Sequence, residues 1–261
     1  EQVARQRRMM NETAASFAWE AGRRFAFTIG ANHQLHKYLD PTLANNLNRF
    51  EAAFSGDAGV KLAPKTKLFV SYSRGLVHYS AGRRDHSRTH QFGVGLSGVL
   101  TRRISGRLQA GLNKRRYENT LPGMPRDNTF FSTGVDLKYK AARRTEATLR
   151  LSRGINEATF RTSRYYVSNA VNAGIAHTWR GLTLTGDASF QTDRYPESTT
   201  LGSVSGNRRD DIYGAGVGIA YSMRSWLSTS LSYSRAQRYS FFLNEFAYVA
   251  NRFSLGLSAS F

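Results

Sequence analysis

The chain has 261 residues, no cysteine, and a formal net charge of +19 from 37 Lys and Arg against 18 Asp and Glu. The lack of cysteine excludes a disulfide scaffold and a thiolate metal site, and no apolar run reaches the roughly 18 residues of a transmembrane helix. With 12% aromatic residues, 23 Gly and 5 Pro, the composition is typical of a protein built from many strands.

The first predicted element is a basic N-terminal segment, residues 1–20. Within it, the apolar residues Ala15, Phe17 and Trp19 occupy every second position, and this period of two predicts one short strand. Three arrangements remain open for this segment. It packs in the lumen or periplasm, it pairs with something outside this chain, or it completes a barrel as an additional strand.

Residues 21–261 are predicted to form a transmembrane β-barrel domain. Between Gln91 and Thr101, the even positions Phe92, Val94 and Leu96 are apolar, whereas the odd positions are mostly small or polar. This period of two predicts a strand, and it recurs along the chain. The fold class predicted is all-β, an antiparallel up-and-down transmembrane β-barrel of about 12 strands, with a range of about 12–14. The strands are predicted to start near residues 24, 46, 65, 91, 105, 129, 143, 163, 182, 209, 225 and 245.

Tight and long breaks alternate between the predicted strands. Tight breaks fall at Gly22-Arg23 and Arg180-Gly181, for example, and long breaks fall near 39–46 and 81–90. Short turns at one end and long loops at the other are the arrangement of bacterial outer-membrane barrels. The sequence therefore predicts a location in the bacterial outer membrane.

The polar face of these strands distinguishes a membrane barrel from a soluble sandwich. In a soluble sandwich the polar face meets solvent, so it is expected to carry mostly Lys, Glu and Thr. Here it carries Gly, Ser, Thr and Asn with spaced charges, which favours apolar side chains toward lipid and polar ones toward a wet lumen. The residues predicted to face lipid are Leu96, Leu112, Leu137, Leu149, Val217 and Leu255. Those predicted to face the lumen are Gly95, Gln109, Asp136, Arg150, Gly216 and Ser254.

Charged residues of the polar face are the candidate pore lining. Cations outnumber anions there, and a confined excess of one charge concentrates ions of the opposite sign. This predicts a narrow, anion-preferring pore, and the alternative is that the same charges form structural salt bridges across the barrel. The predicted lining residues are Arg107, Arg115, Lys138, Arg150, Asp136, Glu146, Asp187 and Arg252.

Catalytic and metal chemistry find little support in the sequence. His33 and His36 have opposite parity on one strand, so they cannot share a metal ion. His78 and Ser80 share the lipid face and resemble the catalytic pair of outer-membrane phospholipase, with Asn45 or Asn48 as the orienting group. The prediction is nevertheless a protein that is not an enzyme, with no metal, no cofactor and no nucleic-acid partner.

The C-terminal strand resembles the β-signal that the outer-membrane insertion machinery recognises. Its pattern of a polar residue, a glycine, a hydrophobic residue and a final aromatic is met by Ser254, Gly256, Ala259 and Phe261. An apolar edge strand of this kind is suited to capture by strand addition. Phe261 is therefore expected to matter for insertion more than for final stability.

The stretch from about Asn46 to Phe261 resembles the outer-membrane β-barrel porin family that is associated with exopolysaccharide gene clusters. The resemblance is carried by LAPKTKLFVSYSRGLVHYS, SGRLQAGLNKRRYENT, RRDDIYGAGVGIAYSMRSWLSTSLSYSRAQRYS and YVANRFSLGLSASF. It implies an outer-membrane pore and a role as a conduit for secreted polysaccharide, and it supplies no catalytic residues.

Two classes of function remain open at this point. The first is the passive or accessory pore, with outer-membrane lipid, lipopolysaccharide, the insertion machinery, and polysaccharide or export-complex proteins as partners. The second is a translocator, assembly or scaffold barrel, similar to an autotransporter domain, with residues 1–20 threading the lumen.

Overall fold

A computed structural model describes residues 7–80, 85–119, 126–158, 163–201, 203–242 and 246–259. Nearly all of them belong to strands, and one short helix, α1, interrupts the series. The strands are β1 (Arg8–Ala21), β2 (Phe25–Tyr38), β3 (Arg49–Ala63), β4 (Thr66–Tyr79), β5 (Ser87–Val99), β6 (Ile104–Tyr117), β7 (Asp127–Ala142), β8 (Thr145–Glu157), β9 (Tyr165–Trp179), β10 (Leu182–Leu201), β11 (Val204–Arg224), β12 (Leu227–Ser240) and β13 (Tyr248–Ala259), and α1 spans Pro41–Leu47.

The strands form one sheet whose spatial order is the order of the chain, from β1 to β13. Neighbouring strands pair antiparallel, as in β10 and β11, where Leu184 lies opposite Ile219. This up-and-down order and the count of 13 strands confirm the predicted fold class. Within the described residues, β1 pairs only with β2 and β13 only with β12.

The N-terminal segment is a strand along most of its length. Residues Arg8–Ala21 form β1, which pairs with β2 from Arg8 opposite Tyr38 to Ala21 opposite Phe25. A strand was one of the arrangements that the sequence left open. With 14 residues, β1 is longer than the alternating stretch around Phe17 from which a strand was predicted.

One face of the strands is apolar and exposed, as expected where the surroundings are lipid. In β5 the exposed side chains include Phe92 and Val94, and in β11 they include Tyr213, Val217 and Ile219. Exposure of such a face would be costly in water, because each large apolar side chain gains about 1.5–3 kcal/mol when it leaves water. Of the residues predicted to face lipid, Leu112, Leu149, Val217 and Leu255 are exposed, and Leu96 and Leu137 are half-buried.

The apolar face forms a band that begins near the short turns and ends before the loops. In β10 the outward apolar positions run from Leu182 to Phe190, and in β12 they run from Leu227 to Tyr233. Arg235 then follows Tyr233 at the next outward position. The run in β10 covers nine residues, as in a tilted transmembrane strand of roughly 9–11 residues, and the run in β12 covers seven. Residues on the loop side of this apolar band therefore lie beyond the hydrocarbon core.

The two kinds of connection are built differently. Two of the tight turns use backbone conformations that favour glycine, with φ of 65° at Gly22 and 84° at Gly181. The connection from β2 to β3 instead contains α1, whose N-cap Asp40 accepts hydrogen bonds from the backbone of Thr42 and Leu43. Leu47 at the end of α1 is buried. No helix among the described residues is long and apolar enough to cross a membrane.

The chain divides into two compact units. Unit 1 comprises Glu1–Gly98, Leu108–Thr133 and Gly154–Tyr165. Unit 2 comprises Val99–Arg107, Gly134–Arg153 and Tyr166–Phe261.

Candidate functional site

The polar face of β7 and β8 in unit 2 carries four of the predicted lining residues, and they form two ion pairs. Lys138 Nζ lies 2.6 Å from Glu146 Oε1, and Arg150 Nη2 lies 2.8 Å from Asp136 Oδ2. Both pairs are exposed to solvent, and within each pair the cation and the anion neutralise each other. The structure thus brings these residues together as ion pairs between the neighbouring strands β7 and β8.

Arg115 is a lining candidate that the structure buries. Its Nη1 donates to Glu157 Oε1 at 2.9 Å, and its Nε donates to Thr89 Oγ1 at 3.1 Å. Its side chain is 8% exposed, so it cannot present its charge to a wide aqueous lumen. Burial and pairing with Glu157 neutralise its charge in the structure, and the role of Arg115 in ion selectivity stays a prediction.

The remaining lining candidates are more accessible. Asp187 and Arg252 are exposed on the polar face, and neither has an ion-pair partner among the residues that the structure describes. Arg107 is half-buried. Asp187 lies against Gly216, where an added Cβ would sit 2.6 Å from Oδ1. Glycine at this position leaves space for the aspartate carboxylate.

Sequence alternation missed a buried polar cluster on the loop side of unit 1. His36, Arg49 and Glu51 lie together there, with Arg49 Nε 2.6 Å from Glu51 Oε1 and His36 Nε2 3.6 Å from the same oxygen. Burial is the main cause that lowers the pKa of His36, and the charge of Arg49 lowers it further. Because His36 lies on β2 whereas Arg49 and Glu51 lie on β3, only the pairing register could have revealed the cluster.

A second buried cluster lies on the loop side of unit 2. Arg208 forms a forked contact with Asp210, with Nε and Nη2 3.1 and 2.6 Å from Oδ2. The Arg208 guanidinium also lies 4.6 Å from the ring centroid of Tyr195 and 3.5 Å from that of Phe246. Burial raises the pKa of the neighbouring Asp193 carboxyl. The Arg208-x-Asp210 spacing was visible in the sequence, but only the structure shows that the pair is buried.

These features divide the polar face into two regions. On the loop side, the polar clusters and the buried rings of Tyr79, Tyr117 and Tyr195 pack tightly within their units. Nearer the short turns of unit 2, the polar face consists mostly of small residues and exposed ion pairs, as at Gly218 and Ser232 on β11 and β12. The second region has the chemistry of a wall that faces water.

The outer-wall residues compared with phospholipase are engaged in other contacts. The His78 ring stacks on His86, with 3.9 Å between ring centroids. The Asn48 side-chain oxygen accepts the backbone N–H of Tyr38 at 2.7 Å, so this oxygen is engaged away from His78. Among the described residues, no group of three or more His, Asp or Glu side chains is placed to hold a metal ion.

The predicted assembly signal lies on β13. Ser254, Gly256 and Ala259 are on this strand, and Gly256 pairs with Ser230 of β12. Phe261 lies outside the described residues. The role of this segment in insertion remains a prediction.

Solved structures with the same kind of fold are outer-membrane transporters. The FrpB iron transporter of Neisseria meningitidis is 9% identical in its F3-3 variant, with a TM-score of 0.62 over 100% of this chain and 51% of that chain. The apoprotein of its F5-1 variant is 9% identical, with a TM-score of 0.65 over 97% and 50%. The copper transporter OprC is 12% identical, with a TM-score of 0.59 over 94% and 50%.

These similarities concern the fold, and the chain spans about half the length of the solved structures that it matches. No curated protein sequence matches the chain. A family model does match, over residues 5–261, and its description is Putative beta-barrel porin 2. The chain therefore belongs to the Putative beta-barrel porin 2 family and is a β-barrel protein of the bacterial outer membrane.

Proposed function

We propose that this protein contributes the wall of an outer-membrane pore that prefers anionic solutes, including acidic polysaccharide. The observation that carries the proposal is the excess of exposed cations at the short-turn side of unit 2. Each short turn of this unit has an arginine in it or at its edge, and none of these turns contains Asp or Glu. The arginines are Arg102, Arg103, Arg143, Arg144, Arg180 and Arg224.

Within the described part of unit 2, the polar face also carries more unpaired cations than unpaired anions. The pairs Lys138–Glu146 and Arg150–Asp136 contribute no net charge. Lys140 and Arg252 are exposed on the same face without an ion-pair partner among the described residues, against the single exposed carboxylate of Asp187. A net positive wall raises the local concentration of anions.

Reversal potentials of the protein in planar bilayers under a KCl gradient test the proposal. The wild-type protein is expected to prefer chloride, and the double variant Lys140→Gln/Arg252→Gln is expected to lose part of that preference. The matched control is Lys138→Gln/Glu146→Gln, which removes an ion pair without changing the net charge. This control is expected to keep the wild-type selectivity.

The identity of the cargo is tested in the same bilayers. An acidic oligosaccharide is expected to reduce the chloride current more than a neutral oligosaccharide of equal length, because only the acidic one is attracted to the cationic wall. A preference for potassium would contradict the proposal. A protein that inserts but conducts no current would also contradict it and would favour the scaffold or assembly class.

A further inference from the structure

An apolar groove crosses the lipid-facing surface of unit 2. Its volume is about 690 Å³, and its walls include Ile175, Val217 and Tyr233. The floor is a row of directly opposed small residues on three neighbouring strands. Ala188 of β10 lies opposite Ala173 of β9 on one side and Ala215 of β11 on the other.

The row of alanines ends at a cation. Ala215 lies opposite Arg235 of β12, and Arg235 is part of the groove lining. Arg235 is exposed and has no ion-pair partner in the part of the chain that the structure describes. On its far side, Arg235 lies opposite Asn251 of β13, whose side-chain oxygen accepts a hydrogen bond from the Tyr233 hydroxyl at 2.9 Å.

The position of Arg235 relative to the apolar band indicates the depth of this end of the groove. Arg235 is the first charged outward residue on the loop side of the band in β12. Long loops of outer-membrane barrels are extracellular and short turns are periplasmic. Arg235 therefore lies at the headgroup level of the outer leaflet, while the alanine floor lies within the apolar band.

We propose that this groove binds lipid A, the phosphorylated and acylated anchor of lipopolysaccharide in the outer leaflet. One acyl chain lies on Ala173, Ala188 and Ala215, and a phosphate group pairs with Arg235. The three alanines give the chain a depression between larger side chains, where dispersion contacts accumulate along its length. The unpaired cation at the outer-leaflet end supplies the complementary charge.

Unit 1 offers a comparison within the same protein. A second lipid-facing groove, of about 480 Å³, has Ala15 and Ala31 on its floor and Phe17, Ile29 and Phe54 beside them. No charged residue is among the lining that the structure describes for it. It is expected to hold an acyl chain of any lipid without selecting for phosphate.

The sequence also provides a matched control for the cation. Tyr-Ser-Arg occurs as Tyr72-Ser73-Arg74 on β4 and as Tyr233-Ser234-Arg235 on β12. Arg74 is exposed and has the same parity as the outward Tyr72. It lies opposite the bulky Phe54 of the second groove, rather than opposite an alanine as Arg235 does, and it is not part of the lining of either groove. If lipid A bound only through a general attraction between a basic protein and an anionic lipid, Arg74 and Arg235 would contribute equally to binding.

Native mass spectrometry of the full chain in detergent, titrated with bisphosphorylated lipid A, tests the proposal. The wild-type protein is expected to retain one lipid A tightly. Arg235→Gln is expected to weaken that binding about fivefold, the equivalent of about 1 kcal/mol for one cation near an anionic surface. Arg74→Gln is expected to bind lipid A like the wild-type protein, and heat-modified migration on gels verifies that both variants are folded.

Two further arms separate the parts of the site. Dephosphorylated lipid A is expected to bind the wild-type protein and Arg235→Gln equally weakly, because the cation no longer has a partner. Ala188→Phe fills the groove and is expected to weaken binding of both lipids. Equal affinity of Arg235→Gln and the wild-type protein for lipid A would overturn the proposal, and so would an equal loss in Arg74→Gln.

Discussion

Arg115 of β6 and Glu157 of β8 form a buried ion pair, with 2.9 Å between Nη1 and Oε1 and side-chain exposures of 8% and 9%. The Glu157 carboxylate also accepts hydrogen bonds from the hydroxyls of Ser87 and Tyr79, at 3.0 and 3.3 Å. One carboxylate thus joins side chains from four strands on the loop side of unit 1. Its loss would leave a buried guanidinium without its counter-charge.

Glu157→Gln is expected to lower the free energy of unfolding by about 3–5 kcal/mol, the usual range when one partner of a buried ion pair is removed. Equilibrium unfolding in urea from detergent or lipid vesicles measures the change. The control is Glu146→Gln, which breaks the exposed pair with Lys138 and is expected to cost only about 0–1 kcal/mol. Equal effects of the two substitutions would show that the Glu157 site is hydrated rather than buried.

Leu231→Arg is expected to destabilise the protein by about 2–4 kcal/mol, because it places a charge on the lipid face near the middle of the apolar band. Leu231 is 52% exposed on this face. The neighbouring residue Ser232 has the opposite parity, and Ser232→Arg is expected to be nearly neutral on a wet face. Urea unfolding of the two variants in lipid vesicles checks the assignment, and a larger effect at Ser232 would mean that the faces are reversed.

Gly95→Ala is expected to destabilise unit 1 by about 1–3 kcal/mol through overpacking. A Cβ at Gly95 would meet the backbone carbonyl of Leu108 and would lie 2.6 Å from Cζ of Phe69, a ring that is 1% exposed on the polar face. Gly134→Ala is the control, because nothing lies within 4 Å of its added Cβ. The midpoint of urea unfolding is expected to move only in the first variant, and an unchanged midpoint there would contradict the close packing of Phe69.

Stability is expected to fall in mild acid because of His36, which lies on the loop side beyond the apolar band. Burial, aided by Arg49, lowers the pKa of His36 below its ordinary value of 6.5, while the charge of Glu51 acts in the opposite direction. The unfolded chain therefore takes up this proton first as the pH decreases. The contribution of His36 to stability is complete above pH 6.5 and is lost as the pH falls through the lower pKa of the folded state.

The pH dependence is measured from urea midpoints between neutral and mildly acidic pH. His36→Gln keeps a polar side chain of similar size but does not titrate, so its midpoint is expected to change less over this interval. Identical pH profiles for His36→Gln and the wild-type protein would show that the histidine does not contribute.

Much of the fold is predictable because the rule that produces it is local. Side chains alternate between the two faces of a strand, so Phe92, Val94 and Val217 could be assigned to one face without knowledge of their neighbours. The tight turns that contain Gly22 and Gly181 mark strand ends by a rule that is also local, since few residues other than glycine adopt the positive φ found there.

The alternation rule fails where it is extrapolated to the end of a strand. Counting by twos from Leu149 and Leu151 assigns Glu157 to the apolar face, whereas its carboxylate contacts Arg115 on the polar side. Arg115 was predicted from its own parity to line the pore, and in the structure it is buried and paired with Glu157.

The sequence by itself determined the class of the protein, the two faces of its strands and the alternation of short turns with long loops. These properties depend on residues close together in the chain. The tertiary structure decided which charges neutralise each other, as in Lys138–Glu146 and Arg115–Glu157, and where three alanines and Arg235 meet in one groove. Such contacts depend on the register between strands, and a shift of one residue in register would place every side chain of a strand beside different partners.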